Sequence, residues 1–186
     1  MESERQDQIF GRIMNKILSH EFNQVELGEI ARVATGCTYP LSDYAREDWR
    51  AVVTINKIIG PDLDLLGPRY IRISEREYVR HMFKPADIIF NHKTSAGKLG
   101  SSALFNLQQP VLHTKYLRIQ PGSDIDSRFL LFVLKRYKSM GKFLECASFR
   151  QNLASVALTD LKKIKVPYLP LDMQLEYLQE QALLSV

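Results

Sequence analysis

The sequence LTDLKKIKVPYLPLDMQ, residues 158–174, marks the point where one folded unit ends and a separate helix begins. Its first half spaces apolar residues among lysines, which predicts a short amphipathic turn leading into a half-buried strand. Pro167 and Pro170 lack a backbone N–H donor and favour extended conformations before them, so they predict a stiff connector. Asp172 then suits the first turn of a helix. The predicted apolar face of that helix is Leu171, Leu175, Leu178 and Ala182.

The composition is that of a soluble globular protein. The chain has 186 residues, 45% hydrophobic and 25% charged, which predicts one domain with a helical appendage. No apolar run reaches the roughly 20 residues of a membrane span, and the N-terminal sequence lacks an export signal. Cys37 and Cys146 lack metal-ligand spacing, so buried reduced thiols are expected. We therefore expect a cytoplasmic protein with no membrane partner.

The net charge of +4 is unevenly distributed along the chain. Residues 69–118 carry nine Lys/Arg and three Asp/Glu, and residues 128–165 carry nine and two, so these regions have charges of +6 and +7. The rest of the chain therefore has a charge of −9. Such asymmetry favours a polyanionic partner. The alternative is that the charges are spread over several solvated faces.

Apolar periodicity predicts an α/β (α+β) fold with an irregular, mostly antiparallel sheet and terminal amphipathic helices. Gly141 is expected to end the internal helix in a left-handed conformation. Residues 37–68 give a poor pattern, with strands expected in AVVTINKIIG before a turn-rich segment at 60–68. The other predicted elements are a helix at 2–20, strand and turn at 24–36, strands at 69–73, 86–90, 102–107 and 111–119, and a helix at 127–140.

Several catalytic motifs are incomplete in this sequence. Pro61-Asp62 is not followed by the Glu-x-Lys of a metal-dependent nuclease, and Ser95-Ala96-Gly97-Lys98 lacks two of the four fixed positions of a phosphate-binding loop. The four histidines show no metal-ligand spacing. The cofactor loop and Pro-Pro tetrapeptide of a DNA methyltransferase are also missing, as is a nucleophile elbow. These absences favour a binding function.

Four segments, in order, resemble the target recognition domain of DNA-specificity subunits in type I restriction-modification systems. They are Val25, Leu27, Gly28, Glu29, Ile30, Ala31 and Gly36; the strand PRYIRISE at 68–75; Asp87, Ile88, Ile89, Gly97 and Gly100; and Leu161, Ile164, Val166, Pro167, Leu169, Pro170, Leu171 and Gln174. The sequence departs from the family pattern at Ala86, where glycine is usual. That difference leaves the turn geometry open.

The resemblance implies a non-catalytic module that recognises double-stranded DNA and directs separate methyltransferase and restriction subunits. S-adenosylmethionine, ATP and Mg are expected on those partners, with no cofactor on this chain. The implied boundaries are 1–22 for an N-terminal helix, 23–168 for the recognition domain and 169–186 for the start of a spacer helix. Family subunits usually contain two recognition domains, so the terminal helices are expected to pair internally or to form a homodimer. The competing hypothesis is a basic protein-interaction module with no DNA specificity.

The candidate DNA contacts lie on a strand edge and two polar loops. Lysine and arginine neutralise phosphates, whereas amide, hydroxyl and guanidinium groups bond to base edges. Glycines at 97 and 100 permit close backbone approach. The predicted contacts are Arg72, Asn91, His92, Lys93, Thr94, Ser95, Lys98, Arg150, Gln151 and Asn152.

Overall fold

The structure is a computed structural model that describes residues 22–36, 50–59, 62–71, 73–108, 111–112 and 115–184. The predicted helix at 2–20 and the candidate contact Arg72 lie outside these residues. Among the described residues, no helix is long and apolar enough to cross a membrane.

The described chain forms small sheets and short helices, as the sequence predicted. Pairing is antiparallel except between β3 and β8, so the predicted mixed fold with a mostly antiparallel sheet is confirmed. The strands are β1 Gln24–Glu26, β2 Ala31–Ala34, β3 Arg50–Ile59, β4 Asp62–Ile71, β5 Ile88–Phe90, β6 Lys93–Thr94, β7 Ser102–Leu104, β8 Val111–Leu112, β9 Leu117–Pro121, β10 Ser148–Arg150, β11 Leu153–Ser155 and β12 Lys165–Pro167. The helices are α1 Leu27–Ile30, α2 Glu75–His81, α3 Ser127–Ser139, α4 Lys142–Glu145, α5 Leu158–Lys163 and α6 Leu171–Leu184.

The central sheet has the strand order β2-β9-β5-β7 and separates two apolar cores. Side chains alternate across a strand, so Ile88 and Phe90 enter the larger core while Ile89 enters the smaller one. The larger core is closed by α3, which buries Phe129, Leu130, Phe132, Val133, Leu134 and Tyr137. Asp126 caps the first turn of α3 by accepting a hydrogen bond from Arg128 N.

Helix α3 ends close to the predicted position. Its last residue is Ser139, and Gly141 follows with φ 76°, the left-handed conformation expected from the sequence. The Tyr137 hydroxyl donates to the carbonyl oxygen of Lys165 at 2.8 Å. Burial raises the pKa of Tyr137 to about 12, so this donor stays protonated and links α3 to β12.

Residues 158–174 form the predicted succession of turn, strand and helix. Helix α5 is followed by β12, which pairs with β1, and α6 begins after Pro170. The apolar face of α6 differs from the prediction, because Leu171 is 43% exposed while Met173, Tyr177 and Leu178 pack against the larger core. Over residues 171–180, whose burial is described, Gln174 is the fully buried residue.

Gln174 forms hydrogen bonds with three backbone groups through its side-chain amide. Its Nε2 donates to the carbonyl oxygens of Asp124 at 2.9 Å and Leu169 at 2.7 Å. Its Oε1 accepts from the backbone N–H of Asp126 at 2.8 Å. The glutamine of the proline segment therefore attaches α6 to the start of α3.

Two sequence predictions about strands were wrong in their bounds. The segment expected to be turn-rich, at 60–68, contributes to β4, whose strand runs from Asp62 to Ile71 despite Gly67 and Pro68. Pairing with the long strand β3, across two irregularities in register, overrides the local turn preference. The single strand expected at 111–119 contains two strands in different sheets, β8 and the first part of β9.

Candidate nucleic-acid interface

The two polar loops predicted to contact DNA meet in one small sheet. Strand β6, from the first loop, pairs antiparallel with β11, and β11 pairs with β10. Lys93 lies opposite Ser155, and Ser155 lies opposite Ser148. The backbone N–H of Val156 also donates to the carbonyl oxygen of His92 at 2.9 Å. Segments about 60 positions apart in the sequence therefore form one surface, which we call the β6–β10–β11 face.

The first loop, residues 91–100, is fixed to the protein by backbone hydrogen bonds and by a buried leucine. Gly100 N donates to Asn91 O, and Asn91 N donates to Ser101 O, both at 2.9 Å. Ala96–Lys98 forms a 3-10 turn, and the next residue, Leu99, is 2% exposed. The exposed side chains of this loop therefore project from a fixed backbone.

Gly100 is required by both conformation and space. Its φ is 77°, and a Cβ atom at this position would lie 2.3 Å from Cδ2 of Phe143. Phe143 also packs edge-on against Phe90, with ring centroids 4.9 Å apart. The close approach seats the loop against the junction of α3 and α4. Gly100 was expected to let DNA approach the backbone closely. In the structure the group that approaches this glycine is the Phe143 ring of the same chain.

The second loop is a β-hairpin with a two-residue turn. Arg150 pairs with Leu153, which leaves Gln151 and Asn152 as the central turn residues. Gln151 has φ 52°, a left-handed value, whereas Asn152 is not at positive φ. Glycine usually occupies the first central position, because a side chain there costs about 1–2 kcal/mol. A strained glutamine at an exposed tip is the kind of feature found at functional sites.

The face is concave and positively charged. A depression of about 610 Å³ is lined by Lys93, Ser148, Arg150, Gln151, Leu153 and Ser155. The two segments that form it, 91–98 and 148–155, carry three Lys/Arg and no Asp/Glu, a net charge of +3. This surface is suited to a polyanion.

The predicted contacts differ in their accessibility. Lys93, Ser95 and Lys98 are exposed in the first loop, and Arg150, Gln151 and Asn152 are exposed in the hairpin. Asn91, His92 and Thr94 are half-buried. Burial, followed by the charge of Lys93, lowers the pKa of His92, and its Nδ1 is buried with no partner among the described residues. The structure therefore brings nine of the candidates to this region, six of them exposed, and the tenth, Arg72, lies outside the described residues.

Four residues of this face were not among the predicted DNA contacts. Ser148 and Ser155 lie opposite each other with their hydroxyl oxygens 2.9 Å apart. Phe149 and Leu153, also on the hairpin, are 60% and 47% exposed. The alternation of FRQNL around a polar turn is the sequence signal that indicates a hairpin.

The motif around Asp87 has a structural role. Asp87 N donates to Lys84 O at 3.0 Å, which closes a turn with Pro85 and Ala86 at its centre. Ala86 has φ 73°, so it occupies the position of a type II turn where glycine is favoured. The Asp87 carboxylate accepts from Lys84 N at 2.8 Å and lies 3.8 Å from Arg118 Nε. Asp87 and Arg118 are both buried, and desolvation raises the pKa of Asp87.

Ala86 therefore adopts the positive φ for which the family pattern has glycine, so the turn geometry is kept despite the substitution. Over the residues that the structure describes, no group of three or more His, Cys, Asp or Glu is placed to hold a metal ion.

Comparisons with known proteins agree with the predicted resemblance. No family model matches the chain. The chain is 26% identical over 127 residues to the "Putative type I restriction enzyme MjaX specificity subunit" of Methanocaldococcus jannaschii. That alignment covers 66% of this chain and 30% of the relative.

Solved structures of type I specificity subunits share the fold. The HsdS subunit from Thermoanaerobacter tengcongensis superposes with a TM-score of 0.69 at 16% identity, covering 99% of this chain and 45% of that one. The S subunit from M. genitalium gives 0.60 at 17% identity, covering 100% and 46%. A chain from a type I R-M system studied for complex assembly gives 0.63 at 15% identity, covering 97% and 47%. The chain spans a little under half the length of these structures, and the predicted resemblance and fold are confirmed.

Proposed function

We propose that this chain recognises a sequence in double-stranded DNA as the specificity subunit, or half-subunit, of a type I restriction-modification system. The observation that carries the proposal is the β6–β10–β11 face, where two separately predicted loops form one basic, concave surface. The fold similarity to solved specificity subunits supports the same conclusion. In this role the chain is non-catalytic and directs separate methyltransferase and restriction subunits.

The chemistry of the face fits a division between affinity and specificity. Lys93 and Lys98 are exposed ammonium groups on the first loop, where they can neutralise phosphates without reading sequence. The hairpin supplies guanidinium and amide groups, which match the hydrogen-bonding patterns of base edges. A protein-interaction module would need the positive charge but not this set of amides.

Binding to duplex DNA of random sequence tests the proposal directly. The wild-type chain should bind a fluorescent duplex at low salt and lose affinity as salt rises, because released counterions supply much of the driving force. Polyglutamate at matched charge concentration is the control for a generic acidic partner. Binding to polyglutamate as tight as binding to DNA would instead favour the protein-interaction module.

The helix α6 is the proposed site of assembly. Leu171 is 43% exposed on this helix, and Leu175 is half-buried and is not among the described side chains that pack against the larger core. We propose that these side chains contact a partner helix, either on the methyltransferase subunit or on a second copy of this chain. A two-fold dimer would present two recognition faces and so read two half-sites.

Sedimentation of the chain over a concentration series tests the homodimer. Self-association should weaken when Leu171 and Leu175 are both changed to Asp, whereas Leu178 is unsuitable because it packs against the core. Changing the exposed Gln179 to Asp provides a control on the same helix. A strictly monomeric wild-type chain would exclude the dimer and leave the methyltransferase as the proposed partner.

A further inference from the structure

The β10–β11 hairpin extends beyond the body of the protein on both of its faces. Every residue from Ser148 to Leu153 is exposed, and the next inward residue, Ala154, is 1% exposed in the larger core. The hairpin is therefore anchored at Ala154 and by pairing with β6 while its tip is surrounded by solvent.

The polar groups at the tip are available to a ligand. Within the described residues, no hydrogen bond or ion pair is formed by the side chains of Arg150, Gln151 or Asn152. The backbone of this tip is nevertheless defined by cross-strand pairing on each side. Because this backbone is already fixed, binding costs only the ordering of the side chains.

The size of the hairpin fits the major groove of B-form DNA. Two paired strands lie about 4.8 Å apart, and the major groove is about 12 Å wide and 8.5 Å deep, which admits a two-stranded ribbon. Each strand of this hairpin has three residues, a length of roughly 10 Å. The tip can therefore reach the base edges while Lys93, on the neighbouring strand, lies nearer the groove wall.

We propose that this hairpin is the base-reading element, with Arg150 contacting a guanine and Gln151 an adenine in the major groove. Arginine forms paired hydrogen bonds with guanine O6 and N7, and glutamine does so with adenine N6 and N7. Lys93 and Lys98 then contact flanking phosphates and hold the hairpin in register. This assignment rests on the proposed function and adds which residues determine sequence and which bases they prefer.

The left-handed turn provides a variant that removes the side chain without harming the fold. Glycine adopts the φ of 52° found at Gln151 without steric conflict. Gln151→Gly should therefore melt at the same temperature as wild type or above it. Any loss of sequence preference in this variant comes from the missing amide and not from unfolding.

Selection from a randomised duplex pool, followed by sequencing of the bound fraction, tests the assignment with the full chain. The wild-type consensus should lose its preference for guanine at one position in Arg150→Ala and for adenine at another in Gln151→Gly. Each loss should be roughly tenfold to a hundredfold in discrimination. The control Lys98→Gln should keep the whole consensus while binding every duplex more weakly.

Modified bases then identify the groove. Replacing the affected guanine by 7-deazaguanine removes N7 from the major groove, so wild-type affinity should fall while that of Arg150→Ala should not change. An unchanged consensus in both hairpin variants, or wild-type binding indifferent to 7-deazaguanine, would overturn the assignment but leave the proposed function standing. A wild-type chain that binds no duplex, or enriches no sequence, would overturn the proposed function as well.

Discussion

Changing Gln174 to Glu should destabilise the protein although the two side chains have almost the same shape. Gln174 is completely buried, and its Nε2 donates to two carbonyl oxygens. A carboxylate has no donor, so the oxygen that replaces Nε2 would face both carbonyl oxygens in a buried site. The bond accepted from Asp126 N at 2.8 Å would survive.

The magnitude follows from the groups left without partners. Leaving a buried polar group unsatisfied costs about 1–3 kcal/mol. The Leu169 carbonyl belongs to a fully buried residue, whereas Asp124 is exposed and its carbonyl can regain water. We therefore expect the free energy of unfolding to fall by about 2–4 kcal/mol in Gln174→Ala, and by at least as much in Gln174→Glu at pH 7. For a chain of this size each kcal/mol lowers Tm by roughly 2–4 °C.

The Glu variant should also acquire a characteristic pH dependence. Burial and the two carbonyls raise the pKa of the introduced carboxyl in the folded state, so the folded state binds its proton more tightly than the unfolded state. The lost stability should be regained as pH falls through that raised pKa, toward the unfolded value of about 4.3.

Urea unfolding followed by far-ultraviolet circular dichroism measures the effect. Gln179→Glu makes the same chemical change on the exposed side of α6 and should alter stability by less than about 0.5 kcal/mol. The reasoning is refuted if Gln174→Glu is as stable as Gln179→Glu, or if its deficit is independent of pH.

Three further predictions concern single positions and are measured by thermal unfolding. Ala86→Gly should stabilise the fold by about 0.5–1 kcal/mol, because glycine relieves the left-handed strain at φ 73° but costs some entropy; an unchanged or lower Tm would contradict the type II turn. Gly100→Ala should destabilise by about 2–5 kcal/mol through its clash with Phe143 and its positive φ, whereas Gly97→Ala, with nothing within 4 Å of the added Cβ, should have little effect. Burial lowers the pKa of His92 in the folded state, so stability should fall as pH drops below about 6.5; the fall should be smaller in His92→Gln, and equal slopes would exclude this contribution.

The parts of the fold that were predictable from sequence are those governed by local physics. Helix α3 has a clear apolar periodicity and a glycine at its end, and the segment from α5 to α6 is punctuated by Pro167 and Pro170. These signals involve only residues that are close in the sequence, so they can be recognised without knowing the tertiary structure. Strand β5 was predicted as buried because its three residues are all large and apolar.

The sequence allowed the candidate DNA-contacting residues to be named, but it did not show that the two loops pair to form one surface. Strand β6 has two residues, too few for an alternation to be visible, and its partner β11 is about 60 residues away. The pairing is decided by tertiary contacts such as Leu99 and Ala154 entering the same core. The role of Gln174 was likewise hidden, because a polar residue on a helix predicts solvent exposure unless its distant partners are known.

The salt dependence of DNA binding tests most directly the central claim that the β6–β10–β11 face contacts DNA. The logarithm of the association constant falls linearly with the logarithm of salt concentration, with a slope of about −0.9 for each phosphate neutralised. The double variant Lys93→Gln with Lys98→Gln should therefore reduce the slope by about 1.8 and weaken binding to every duplex.

The matched control changes Lys57 and Lys84, which are exposed outside this face, to Gln. It should leave the slope close to that of the wild-type chain. A slope unchanged in the Lys93 and Lys98 variant, or reduced equally in the control, would place the DNA elsewhere on the protein and contradict the account.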